Sequence, residues 1–356
     1  MSAFHADCQP VLIGSLPHLN HHDAVSLIFD HTPQIPIWPQ LPHHREEGML
    51  LQFLSGLPGI THKEAKVFVD SSREDFETEF LSFFEDYLGV IEGTMELSDS
   101  RFVLGSKEAP GFELFLEEAR RRKDNLVALK GQITGPVTFC TGLVDQQGRA
   151  LFYDDQLRDA AVKLLALKAR YMTREMAAIK QRPLLFFDEP GLAGFGSSAF
   201  ITITPEDIKA CLSEVFEGVR EEGGLSGVHV CANTEWPVIF ATGAEVISYD
   251  AYSFFDKLVL FAEHLKAFLD RGGILASGIV PTTAELIDRE STENLVDKWL
   301  EQLGQLEGLG VSREVVIKQT LITPSCGTGT VSEAHARRVL ELTRDVSSAL
   351  RERFLS

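Results

Sequence analysis

Short apolar runs recur along the chain, each closed by glycine, proline or polar residues and most followed by a stretch with helical spacing. Eight such runs stand at 10–18, 34–42, 126–131, 183–190, 227–231, 245–250, 273–278 and 315–326. They are nearly continuous in apolar residues, as strands buried on both faces of a parallel sheet must be. Helical spacing over 155–180, 205–221, 257–270, 293–307 and 332–351 supplies the crossovers, with an earlier helical stretch capped by Asp23 and a helix-like stretch over 45–57. The prolines within 34–42 forbid a helix there and predict extended chain. Eight strand–helix repeats predict an α/β fold, a (β/α)8 TIM barrel built by residues 1–356 as a single domain. An open doubly wound sheet with a small second domain is the alternative. A barrel needs about 250 residues, and the surplus falls at 60–125, predicted as an insertion between the second and third strands. Within it the pattern predicts a strand at 66–70, an amphipathic helix over 73–87 and a basic helix end at Arg120, Arg121, Arg122 and Lys123, complementing the helix dipole.

Composition narrows the partners. With 44% hydrophobic and 24% charged residues, the 356-residue chain has ordinary globular make-up. Its formal net charge of −19 repels phosphate backbones and anionic lipid, which argues against nucleic acid and membrane surfaces as partners. No basic leader segment and no long uncharged apolar run is present, so a soluble, cytoplasmic protein is expected. The 5 cysteines are odd in number and scattered, which predicts reduced thiols. No dinucleotide-binding glycine pattern and no phosphate-cradling loop follows any strand.

The chemistry collects where the strands end, the side on which (β/α)8 barrels carry their reactive groups. The first run ends in Gly14 and Ser15, the third leads into Gln132, and the fourth ends in Asp188, Glu189 and Pro190. The fifth carries His229 and Cys231, the sixth ends at Asp250 and the eighth at Cys326. His229 and Cys231 are two residues apart, so on extended chain both face one side. One imidazole and two thiolates suit a single zinc ion that keeps a coordination position open for substrate. Asp250 is a ligand, an acceptor orienting His229 or a plain strand end, and the residues alone leave the three open. Cys140 and Cys211 read as core residues. His18, His21, His22, His43 and His44 crowd the early loops, mostly solvated, with His18 and His43 nearest the strand ends.

Taken together and in order, GSLP at 14–17, GPVT at 135–138, DEP at 188–190, HVC at 229–231, VISYD at 246–250 and the Cys326-Gly327 pair resemble the C-terminal catalytic barrel of cobalamin-independent methionine synthase. The resemblance spans nearly the whole chain, within a superfamily that includes uroporphyrinogen decarboxylase. It implies zinc ligation by His229, Cys231 and Cys326, with Asp250 standing where that family has a glutamate ligand. It places Ser15 and Asp188 around the amino-acid part of homocysteine and His43 near a substrate-binding position. Gly14 and Gln132 are expected to complete the substrate site, with Asp188 and Glu189 as catalytic carboxylates.

The implied activity is a zinc-dependent S-methyltransferase of methionine biosynthesis. It would move a methyl group from a methyl-corrinoid or methyltetrahydrofolate to a small thiol, homocysteine first. A corrinoid protein is a possible docking partner. The alternatives are a decarboxylase-like lyase, which needs no metal, a methylcobamide:thiol methyltransferase with another acceptor, and a non-catalytic zinc- or thiol-binding protein.

Overall fold

The computed structural model describes residues 4–64, 66–195 and 202–355. Six strands form one parallel sheet in sequence order: β3 (Lys130–Thr134), β4 (Leu184–Asp188), β5 (Leu225–Val230), β6 (Val246–Tyr249), β7 (Ile274–Val280) and β8 (Thr320–Pro324). Before them, β1 (Ile60–Lys63) and β2 (Lys66–Val69) make a separate antiparallel pair. The expected α/β character and parallel sheet are therefore present.

Period-two alternation explains why both faces of the sheet are apolar. Leu184, Phe186, Leu225, Val246, Ile274, Ala276 and Leu321 turn to one core, shared with Val11, Leu12, Ile35 and Ile37 from the N-terminal segment. Their neighbours Leu185, Phe187, Val228, Val230, Ile247, Leu275 and Ile322 turn to a larger core packed by helices such as Asp155–Ala177 and Pro205–Glu221. The helices begin where local chemistry starts them. Asp154 accepts from the backbone N–H groups of Gln156 and Leu157, and Thr204 and Asp207 form a reciprocal capping box ahead of Pro205.

Several elements differ from the pattern-based expectation. The runs at 10–18 and 34–42 make single-residue parallel bridges, Pro10 to Ile322 of β8, Ile37 to Lys130 of β3 and Ser15 to Gln40, because prolines at 10, 36 and 39 remove donors a longer ladder would need. The helix-like stretch at 45–57 is two short 3-10 turns, Arg45–Glu47 and Leu51–Phe53. The run at 315–326 divides into a short helix, Arg313–Lys318, and β8. The first helix, His21–His31, is capped by Asn20 rather than Asp23. The helix expected over 73–87 runs from Phe76 to Ile91, and the one expected over 257–270 is preceded by a separate helix, Ala251–Leu258. The basic helix end is where it was expected, in the last turn of Pro110–Arg121.

Close packing at the C-terminal edge of the sheet makes a direct test. A Cβ on Gly278 would lie 2.5 Å from the Tyr249 carbonyl oxygen at the end of β6 and 2.8 Å from Ser325 Cα just past β8, both backbone atoms. Gly278→Ala is expected to destabilise the fold by about 1–3 kcal/mol. Gly304→Ala, on an open helix face with nothing within 4 Å, is expected to stabilise by about 0.5–1 kcal/mol. Thermal unfolding of the two variants beside wild type reads both signs.

Candidate metal centre

Strand register sets the site. His229, near the end of β5, lies between Asp188 of β4 and Ser248 of β6. Its ring stands 2.9 Å from Ser248 Oγ through Nδ1, while Nε2 is buried with no hydrogen-bond partner. Cys231 follows two residues later on the same side, and Cys326 arrives from the loop after β8. One ligand atom from each of His229, Cys231 and Cys326 falls within 4.8 Å of the others. That loop is pinned to the N-terminal segment. The Ser15 carbonyl accepts from Thr328 N–H at 2.9 Å, and Ser15 Oγ accepts from Gly329 N–H at 3.2 Å. Only glycine fits at 327, where a Cβ would come within 2.2 Å of Ser15 Oγ.

The three groups open onto a cavity of about 250 Å3 whose wall also includes Ser15, Gln40, Glu47, Met49, Asp188 and Thr330. The two sulfurs and the imidazole lie within 4.8 Å of one another. The Cys326 thiol and the His229 ring beside it pull Cys231 down, whereas the neighbouring thiolate and burial push Cys326 up, so Cys231 loses its proton first. Burial raises the Asp188 carboxyl, against the pull of His229 and Lys130, and its Oδ1 has no partner. Lys130 lies in the interior, donating to the Ile13 carbonyl and to Gln132 Oε1, and burial lowers its ammonium to about 7.

Not every residue singled out in the sequence joins this group. Asp250 lies outside it, because its carboxylate caps Ala251–Leu258 by accepting from Ser253 N–H at 2.8 Å. His43 is exposed and off the cavity wall. Gln132 is fully buried, donating to the Trp38 carbonyl at 2.9 Å, and Gly14 packs against Gln40 and Gln132. Glu189 is held as a latch in this structure. Its two oxygens accept from Val137 N–H, Thr138 N–H and Thr138 Oγ1 at 2.9, 2.7 and 2.6 Å. Gln40, Glu47, Met49 and Thr330 on the wall escaped sequence reasoning. The signal for Glu47 was a carboxylate within a turn rich in proline and histidine.

No family model and no curated protein matches the chain. Solved structures that resemble it include three glycosidases. One, a pneumococcal virulence factor described for N-glycan recognition and hydrolysis, has a TM-score of 0.45 at 9% identity over 96% of this chain and 83% of that one. A tandem GH20 catalytic module of the pneumococcal exo-β-D-N-acetylglucosaminidase has a TM-score of 0.48 at 9% identity over 96% and 85%. A further glycoside hydrolase has a TM-score of 0.37 at 13% identity over 70% and 84%. These findings correct the expected membership of the methionine synthase family. Supported by no family model and no curated relative, the S-methyltransferase reading is withdrawn. Homocysteine methylation, a role in methionine biosynthesis and the lyase and methylcobamide alternatives fall with it. The neighbours' own TM-scores, all below 0.5, carry no activity to this chain.

The Glu189 latch predicts a pH dependence. Burial lifts this carboxyl from 4.5 to about 7, so the folded chain keeps a proton that the unfolded chain releases. Its contribution to stability is full below the unfolded value and is lost as pH rises across 4.5 to about 7. Glu189→Gln removes that slope and turns an amide donor toward groups that themselves donate, at a cost of about 1–3 kcal/mol. Denaturant midpoints of wild type and variant measured across that pH range check both effects.

Proposed function

We propose that the chain is a metal-dependent protein in which His229, Cys231 and Cys326 hold one zinc ion at the C-terminal edge of the sheet, its open position turned to the adjoining cavity. The observation that carries this reading is the buried Nε2 of His229, without a hydrogen-bond partner among the described residues, with the sulfurs of Cys231 and Cys326 close beside it. An orphaned buried nitrogen is costly unless something accepts its lone pair or takes its proton, and a cation among two sulfurs does so. Ser248 then acts as the orienting partner of the ligating imidazole. Two thiolates balance the charge of the ion, so the ligand suited to the open position is a small polar molecule bound through sulfur or oxygen. A small thiol is the first candidate, with Asp188 Oδ1 and Ser15 on the cavity wall to position it.

The architecture proposed around the centre is a closed (β/α)8 barrel in one domain. The bridges from Pro10 to β8, Ile37 to β3 and Ser15 to Gln40 support closure of the six strands by the N-terminal segment. Residues 60–125, with the β1–β2 pair and the helices Phe76–Ile91 and Pro110–Arg121, form the proposed insertion. Among the described residues no helix is long and apolar enough to cross a membrane.

Cys326→Ala is expected to lose about one equivalent of zinc relative to purified wild type while keeping its far-ultraviolet circular dichroism. Zinc-free wild type after expression in zinc-replete medium would overturn the proposal. So would chelator-resistant hydrolysis of an aryl N-acetylglucosaminide.

A further inference from the structure

A second group of metal-ligating side chains lies beside the cavity, drawn from residues the proposed centre does not use. His21, at the start of His21–His31, and His44 and Glu47, in the turn after Gln40, bring one ligand atom each within 4.8 Å of one another. Glu47 is 3% exposed, and the two rings stack with centroids 5.2 Å apart at an interplanar angle of 17°.

The surrounding hydrogen bonds orient this group as ligands are oriented. Glu47 Oε2 accepts from Leu41 N–H at 2.8 Å, which leaves Oε1 aimed at His21 Nε2, 2.6 Å away. His44 Nε2 donates to the Leu19 carbonyl at 2.9 Å, so Nδ1 carries that ring's lone pair. An imidazole whose far N–H is fixed by a carbonyl, next to a carboxylate whose second oxygen is fixed by an amide, is the outer-shell arrangement that metal ligands require.

We infer that His21, His44 and Glu47 form a second cation site, for a borderline divalent ion such as zinc, cobalt or manganese. Two imidazoles and one carboxylate favour such ions over the softer partners of thiolates. Both histidines are half-buried, which leaves room for water to complete the coordination shell. On binding, the proton between His21 Nε2 and Glu47 Oε1 leaves to solvent and the cation takes its place. Because Glu47 also lines the cavity, occupation of this site fixes the wall that faces the proposed sulfur-bound ion. It clamps the turn carrying His44 and Glu47 against the first helix.

The test uses cobalt(II) alone, added to the full chain in which Cys231→Ser and Cys326→Ser remove the sulfur site, so it does not depend on that site being real. Calorimetry is expected to show about one equivalent bound. The visible spectrum is expected to show ligand-field bands without sulfur-to-metal charge transfer. Adding His44→Asn, on a half-buried ring, is expected to weaken binding more than about tenfold with circular dichroism unchanged, and Glu47→Gln to do the same. No cobalt uptake by the double-serine chain would overturn the inference, as would uptake that survives both further substitutions.

Discussion

The imidazole of His229 is held on one side only, and the rest of the site follows from that asymmetry. Ser248 occupies Nδ1, and among the described residues no hydrogen-bond partner answers Nε2. A polar atom kept dry and unpaired costs free energy comparable to a lost hydrogen bond. The cost is tolerable when a ligand removes it, and the sulfurs of Cys231 and Cys326 stand where such a ligand would sit.

What keeps the three together is the sheet. Parallel pairing of β4, β5 and β6 sets Asp188, His229 and Ser248 side by side, while Cys326 depends on a loop that Ser15 ties down. Chemistry at this edge thus draws on residues more than three hundred positions apart in the chain, joined by contacts that tolerate no added side chain at Gly327. The same economy appears beside it. Gly135 approaches Glu189 so closely that a Cβ would lie 2.3 Å from its carboxylate, and Thr138 returns two hydrogen bonds to that group.

That latch explains why much of the fold, and only part of the site, was legible in the sequence. Apolar runs marked five of the six strands of the parallel sheet, whereas the run at 126–131 met only the first two residues of β3, and the two-residue spacing of His229 and Cys231 announced a shared face. Cys326 was legible because it closely follows a strand, two residues after the end of β8. The motifs GPVT and DEP also looked like functional signatures, yet Pro136 and Pro190 begin short helices and Glu189 braces the turn between them. Residues that secure strand ends can resemble a reaction's fingerprint, and short motifs alone could not separate the two roles. Asp250 was ambiguous for a similar reason, since a carboxylate after a strand serves as readily to cap the next helix. Glu47 was hidden because its burial depends on a turn of 3-10 type that no periodicity betrays.

Zinc K-edge X-ray absorption of the protein carrying a single equivalent of the ion tests this account most directly. It predicts two sulfur neighbours at about 2.3 Å, one nitrogen at about 2.0–2.1 Å and one further light atom. A shell of oxygen and nitrogen only, or of one sulfur, would contradict it.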